Sequence, residues 1–221
     1  MSDPSASRPA DGHRRADRGA HWWRRVLISW AALAVTAIAA LLANAAIVAW
    51  FPNRPKPPDL LFEALPFVSS MQYVADVVLL AAFGILIWYA VARRPDRIPE
   101  AIALFAVMET LRAAIMVLTP LDSAYLRGAT FGLLPVVQYG MFPSGHAASV
   151  LLCMLLVDRR DAPVARTVLA VLVVAECLAL VLSHAHYSID VVGGLLLSYF
   201  VWHEYDHGPL LRWLRQLVAA P

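Results

Sequence analysis

Two short polar stretches carry residue types that could do chemistry. Pro143-Ser144-Gly145-His146 runs into an apolar segment at residues 147–157, and Ser183-His184-Ala185-His186-Tyr187-Ser188-Ile189-Asp190 runs into another. Pro143 and Gly145 shape a turn, and the apolar run after them reads as a helix. Ser144, Gly145 and His146 then stand at a helix N-terminus, where unbonded backbone N–H groups and the dipole attract an anion such as phosphate. His186 and Asp190 are four apart and share one helix face, so the carboxylate can hold the imidazole. A histidine able to attack, a carboxylate that orients it and a second histidine at an anion site suggest phosphoryl transfer.

Those residues need a scaffold, and composition says which kind. The 221-residue chain is 60 % apolar and 15 % charged, whereas soluble domains carry about 25 % charged residues. Its apolar residues fall in blocks at 26–51, 73–92, 101–118, 144–157, 164–183 and 188–205. The expectation is an all-α fold, a six-span transmembrane helix bundle over residues 26–207. A disordered basic tail at 1–25 precedes it and a short tail at 208–221 follows. The block at 26–51 is too long for the apolar core of a signal peptide, although Ala43-Asn44-Ala45 resembles a cleavage site, and reads as an uncleaved span. The block at 144–157 is short for the ~20 residues a crossing needs, so it starts earlier or lies sheltered among the other helices. Residues 52–69, with Pro52, Pro55, Pro57, Pro58 and Pro66, read as a loop on the membrane surface. A net charge of +2, with basic residues scattered over ends and short loops, gives no support to a nucleic-acid partner. Cys153 and Cys177 lie inside apolar runs and form no disulfide framework.

Charge orients the bundle. With both termini in the cytoplasm, that side holds Arg8, Arg14, Arg15, Arg18, Arg24, Arg25, Arg93, Arg94, Arg97, Arg159, Arg160, Arg166, Arg212 and Arg215, and the other side keeps Arg54, Lys56 and Arg127. Trp22, Trp23, Trp50, Trp88 and Trp202 fall near span ends, as an interfacial belt requires. His146, His186 and Asp190 then meet on the outer side, with the end of the third span at Thr119-Pro120. Arginine far outnumbers lysine, which hints at a bacterial source; the membrane is then the inner membrane and the site periplasmic. Arg112, about two turns before Pro120, is a charge inside a span, and such charges pair or face a polar cavity. Glu109, one turn away, is a structural partner for it, and phosphate binding is compatible with that pairing.

On these residues the chain resembles the type 2 phosphatidic acid phosphatase superfamily, in which a Pro-Ser-Gly-His motif faces a later His-x-x-x-Asp motif. The residues here are Pro143-Ser144-Gly145-His146 and His186-Tyr187-Ser188-Ile189-Asp190. Where that family has lysine, six residues, then arginine-proline, this chain has Arg112, six residues, then Thr119-Pro120; where it has serine-arginine before the last histidine, this chain has Ala179-Leu180. The departures, with Glu109-Thr110-Leu111-Arg112 and His186-Tyr187-Ser188-Ile189-Asp190-Val191, resemble the sphingomyelin synthase-like branch, whose members also have six spans and an outward active site.

The resemblance implies a lipid phosphate substrate cleaved at the bilayer surface in two displacements. In that scheme His186 attacks phosphorus, Asp190 fixes its tautomer and His146 protonates the departing oxygen. Arg112, Ser144 and the N–H groups of Gly145 and His146 stabilise charge, with Arg127 a further cation for the phosphate. Water or a lipid hydroxyl accepts the phosphoryl group, and the scheme calls for no metal or other cofactor.

Competing readings are open at several residues. The same bundle could be a non-catalytic transporter or assembly partner. His184 alone reads as an interfacial side chain, and His184, His186 and Asp190 are together ligand types for a metal. Asp76 and Glu176 read as polar contacts between helices. His203-Glu204-Tyr205-Asp206-His207 fits the zinc-protease pattern H-E-x-x-H, but Gly208-Pro209 stops its helix at once and it reads as a polar helix end.

Overall fold

The computed structural model describes residues 10–122, 124 and 140–218, with side chains from residue 21 onward. It is all helical, with 76 % of residues in helices and no strand among those described. The helices are α1 (Ala10–Trp50), α2 (Leu60–Ala64), α3 (Met71–Ala92), α4 (Ile98–Leu118), α5 (Gly145–Leu156), α6 (Pro163–Leu182), α7 (Ser188–Asp206) and α8 (Arg212–Val218). Proline sets several boundaries. It lacks an N–H to donate, so it is tolerated in the first turn and disfavoured beyond it. Pro99 and Pro163 open α4 and α6, and Pro52 and Pro209 follow the ends of α1 and α7.

Four of these helices are long and apolar enough to cross a membrane: His21–Trp50, Met71–Ala92, Pro95–Leu118 and Pro163–Leu182. α5 has only 12 residues, and most of its side chains, from Ala147 to Leu156, are buried among the other helices. α7 has 19 residues and ends in the polar sequence His203-Glu204-Tyr205-Asp206. Two local expectations change. The helix α1 begins at Ala10, inside the segment read as a disordered tail; after Pro9 the alanine- and arginine-containing run holds no proline to stop it. The loop at 52–69 contains α2, which Asp59 starts by accepting the Leu61 N–H at 2.9 Å.

α1 runs parallel to α4, with the Ser29 and Thr36 hydroxyls donating to the carbonyls of Pro99 (2.9 Å) and Ala106 (3.2 Å). α5 sits between α3, α6 and α7. The main core, with Leu104, Met108, Val150, Leu152, Leu169 and Val201, lies between these helices. α7 closes on α5 through small residues: a methyl group on Gly194 would strike the Ser144 carbonyl oxygen and lie 3.2 Å from the Ala148 nitrogen.

The two ends of the bundle differ in chemistry. At one, Arg94 bridges Asp161 (2.8 Å) and Asp96 (3.0 Å), and Arg97 pairs with Glu100 at 2.5 Å. At the other, the start of α5, the start of α7 and the C-terminal part of α4 come together.

Candidate active site

The turn before α5 and the turn before α7 are joined through their backbones: the Ser144 N–H donates to the Asp190 carbonyl at 2.9 Å. Ser144 itself is the N-cap of α5, its hydroxyl oxygen accepting the Ala147 N–H at 3.4 Å. The first N–H groups of α5 therefore point toward the space beside α7, as a helix start must leave them.

His186 and Asp190 do pair, but not on one helix face: His186 lies in the turn before α7 and Asp190 in the first turn of that helix. His186 Nδ1 lies 3.3 Å from Asp190 Oδ2, and both side chains are fully buried. The same oxygen accepts the Tyr187 N–H at 3.0 Å, which fixes the carboxylate at the first turn of α7. Nδ1 engaged in this way leaves Nε2 as the nitrogen able to act on a substrate. The ring of His146 stands 6.5 Å from that of His186, centre to centre.

Arg112 reaches the same place from α4. Its Nε donates to the Pro143 carbonyl at 3.0 Å and its Nη1 to Glu109 Oε2 at 3.3 Å. Those two bonds use two of the five guanidinium donors. The guanidinium lies over Gly145, where a Cβ would come within 3.0 Å of Nε and 3.1 Å of Cζ. Glycine thus lets a cation sit against the α5 N-terminus. All six residues singled out from sequence (His146, His186, Asp190, Arg112, Ser144 and Gly145) meet at this one end. Arg127 lies outside the described residues.

Three features went unread in the sequence. Asp76, read as a polar contact between helices, is one, but its partner was not read: Oδ1 on α3 lies 3.4 Å from Nε2 of His146 on α5. The pair Gly193-Gly194 allows α7 to approach Pro143 and Ser144. Asp59 ties α2 to α7 by accepting the Ser188 N–H at 2.5 Å. A charge or a double glycine inside an apolar run was the available signal; the partner in each case lies far off in sequence.

The other motifs have structural explanations. His184, at φ 49°, stacks on Phe62 with ring centres 4.0 Å apart, beside the site and not in it. Burial lowers its pKa from the usual histidine value. His203 and His207 stack on one another at 5.2 Å, and Glu204 accepts the Leu210 N–H at 3.3 Å. Among the described residues no group of three or more His, Cys, Asp or Glu side chains is arranged to hold a metal ion. An apolar cavity of about 460 Å³, with Trp30, Phe83, Ile87 and Phe105 in its wall, reaches up between α1, α3 and α4 to Glu109 and to Ser149 of α5.

No curated protein compared with the chain matches it. Residues 141–207, less than half of the chain but all of α5 to α7, match the family model described as PAP2 superfamily C-terminal. That match spans His146, His186 and Asp190, and it supports the PAP2 superfamily and, with it, phosphatase-type chemistry at a membrane.

Proposed function

We propose that this protein is an integral membrane enzyme that cleaves a lipid phosphate ester through a phosphohistidine on His186. The observation that carries the reading is the facing pair of histidines, 6.5 Å apart, with a buried carboxylate on one and an arginine-lined helix start beside them. His186 Nε2 forms a bond to phosphorus as the ester P–O bond breaks. His146 gives its proton to the departing oxygen. In the second step a water or lipid hydroxyl attacks phosphorus, the N–P bond breaks, and His146 takes the proton of the incoming oxygen. Arg112 and the N–H groups of Gly145 and His146 bind the equatorial oxygens, and Ser144 holds that helix start in place.

The substrate's lipid character is supported by the open apolar groove between α1, α3 and α4 that reaches Glu109, the partner of Arg112, where an acyl chain would avoid water. We place the site on the outer face of a six-span bundle with both termini in the cytoplasm, on the arginine asymmetry alone. The bacterial inner membrane fits the composition.

A second reading, head-group transfer as in the sphingomyelin synthase-like branch, is favoured by one observation. Ala179 and Leu180 stand where the resembled superfamily has serine-arginine, and both are buried in an apolar cluster with Ala75, Ala147 and Val191. α6 therefore brings no cation to the site at this turn. A phosphodiester, with one negative charge, needs less positive charge than a phosphate monoester.

The test uses purified protein in detergent with phosphatidic acid, and separately with a phosphodiester lipid plus diacylglycerol. Free phosphate from phosphatidic acid, absent with His186→Ala, makes the protein a lipid phosphatase. A transferred head group without free phosphate makes it a synthase. Silence of folded protein in both assays overturns the catalytic reading in favour of a non-catalytic bundle.

A further inference from the structure

The proposed mechanism asks His146 to arrive at the leaving oxygen carrying a proton, and its surroundings oppose a positive charge. His146 is the second residue of α5, at the positive end of the helix dipole. Arg112 of α4 lays its guanidinium over the same helix start, within 3.0 Å of where a Gly145 Cβ would stand. A carboxylate faces His146. Asp76, in the second turn of α3, places Oδ1 3.4 Å from His146 Nε2, with side chains only 8 % and 16 % exposed. A buried carboxylate is costly unless paired, and this one is paired with an imidazole.

The setting is polar and buried. Gln72, one turn earlier on α3, has both amide atoms buried without a hydrogen-bond partner. Glu176 of α6 is fully buried and neither of its oxygens is bonded.

We infer that Asp76 is the positioning residue for His146: it binds Nε2 and leaves Nδ1 to pass the proton to the leaving oxygen. The active site then holds two His–carboxylate pairs, one for attack and one for protonation. The inference rests on the proposed phosphoester chemistry.

A substrate whose leaving group needs no proton separates this role from simple support of the fold. The full chain in detergent is assayed with a lipid alkyl phosphoester that it cleaves and with the corresponding p-nitrophenyl ester. For Asp76→Asn, kcat on the alkyl ester is expected to fall about 10- to 100-fold, part of the 10²–10⁴ that general acid catalysis supplies. KM stays within about twofold, and the aryl ester, followed as the first-turnover burst of p-nitrophenol, is cleaved at close to the unmutated rate, since its departure draws little on the acid. Asp76→Glu, which keeps the charge, recovers part of the alkyl activity. Where Asp76→Asn yields no folded protein, Asp76→Glu is read in the same two assays and the same split is expected at smaller size. Equal loss on both esters, or no loss on either, overturns the role of Asp76 and leaves the phosphoester chemistry standing. An unmutated protein inactive on both esters overturns that chemistry, and this assignment with it.

Discussion

His186 and His146 face one another across one space, yet the chain holds them by different means. Asp190, in the first turn of α7, reaches back to His186 in the turn just before that helix, and the Tyr187 N–H locks its carboxylate. Asp76 reaches His146 from another helix, 70 residues away. The first geometry is a property of one helix start and the turn leading into it, and survives small movements of α7 as a body. The second exists only while α3 and α5 keep their packing. The attacking histidine is therefore positioned locally and the protonating one by the bundle, so disturbances between helices should reach protonation before attack.

The largest effect should come from the local pair. His186→Ala is expected to lower turnover by about 10³-fold or more on alkyl and aryl esters alike, as loss of a nucleophile does. Asp190→Asn should follow by about 10²-fold or more, again on both esters, because the wrong tautomer is then favoured. Product release measures both, with thermal unfolding as the check on the fold. If Asp190→Asn spared the aryl ester, the carboxylate would belong to protonation and the comparison would be reversed.

Packing between helices comes next. Gly194→Ala places a methyl group against the Ser144 carbonyl, pushing α7 from α5. Overpacking of this kind costs about 1–3 kcal/mol, visible as a lower unfolding midpoint, and activity should fall with it. An unchanged midpoint would mean that the two helices do not meet as closely as described. Ser198→Ala is a milder test at the same interface. It removes a hydroxyl that donates to the Ala148 carbonyl at 2.5 Å, a bond worth about 1 kcal/mol net, and should lower stability while leaving kcat nearly intact.

The smallest effect lies at the far end. The Arg94 guanidinium holds the Asp161 carboxyl below the usual carboxylate range by a direct hydrogen bond. The folded state thus binds its proton less readily than the unfolded chain. The contribution to stability is complete above the ordinary carboxylate pKa, about 3.9, and is lost as pH falls through the lower, folded value. Asp161→Asn should flatten the acid limb of unfolding midpoint against pH and leave activity unchanged. Loss of activity would show that the two ends of the bundle are coupled.

What the sequence made legible follows the same division. The His186–Asp190 pair and the helix start at Ser144 could be read because each lies within a few residues, where spacing and turn chemistry decide; the approach of Arg112 to Pro143, far off in sequence, could not. The apolar runs similarly marked the helices that carry them. Asp76 was visible as a charge in an apolar run, but nothing local says that its partner is His146. Gly194 was silent for the same reason, since its need for space appears only when Ser144 is set beside it. The start of α1 at Ala10 and the turn of helix at Leu60–Ala64 were missed because polar composition and proline content outweighed weak helix preference in the reading.

The most direct test of the central claim traps the intermediate. His146→Ala should still attack a p-nitrophenyl ester but lack the base that activates the second acceptor, so the phosphorylated enzyme accumulates. Rapid quenching into alkali, digestion and mass spectrometry should then find the phosphoryl group on His186, and none in the variant that also carries His186→Ala. A phosphoryl group on another side chain, or steady turnover with no adduct at His186, would contradict the account.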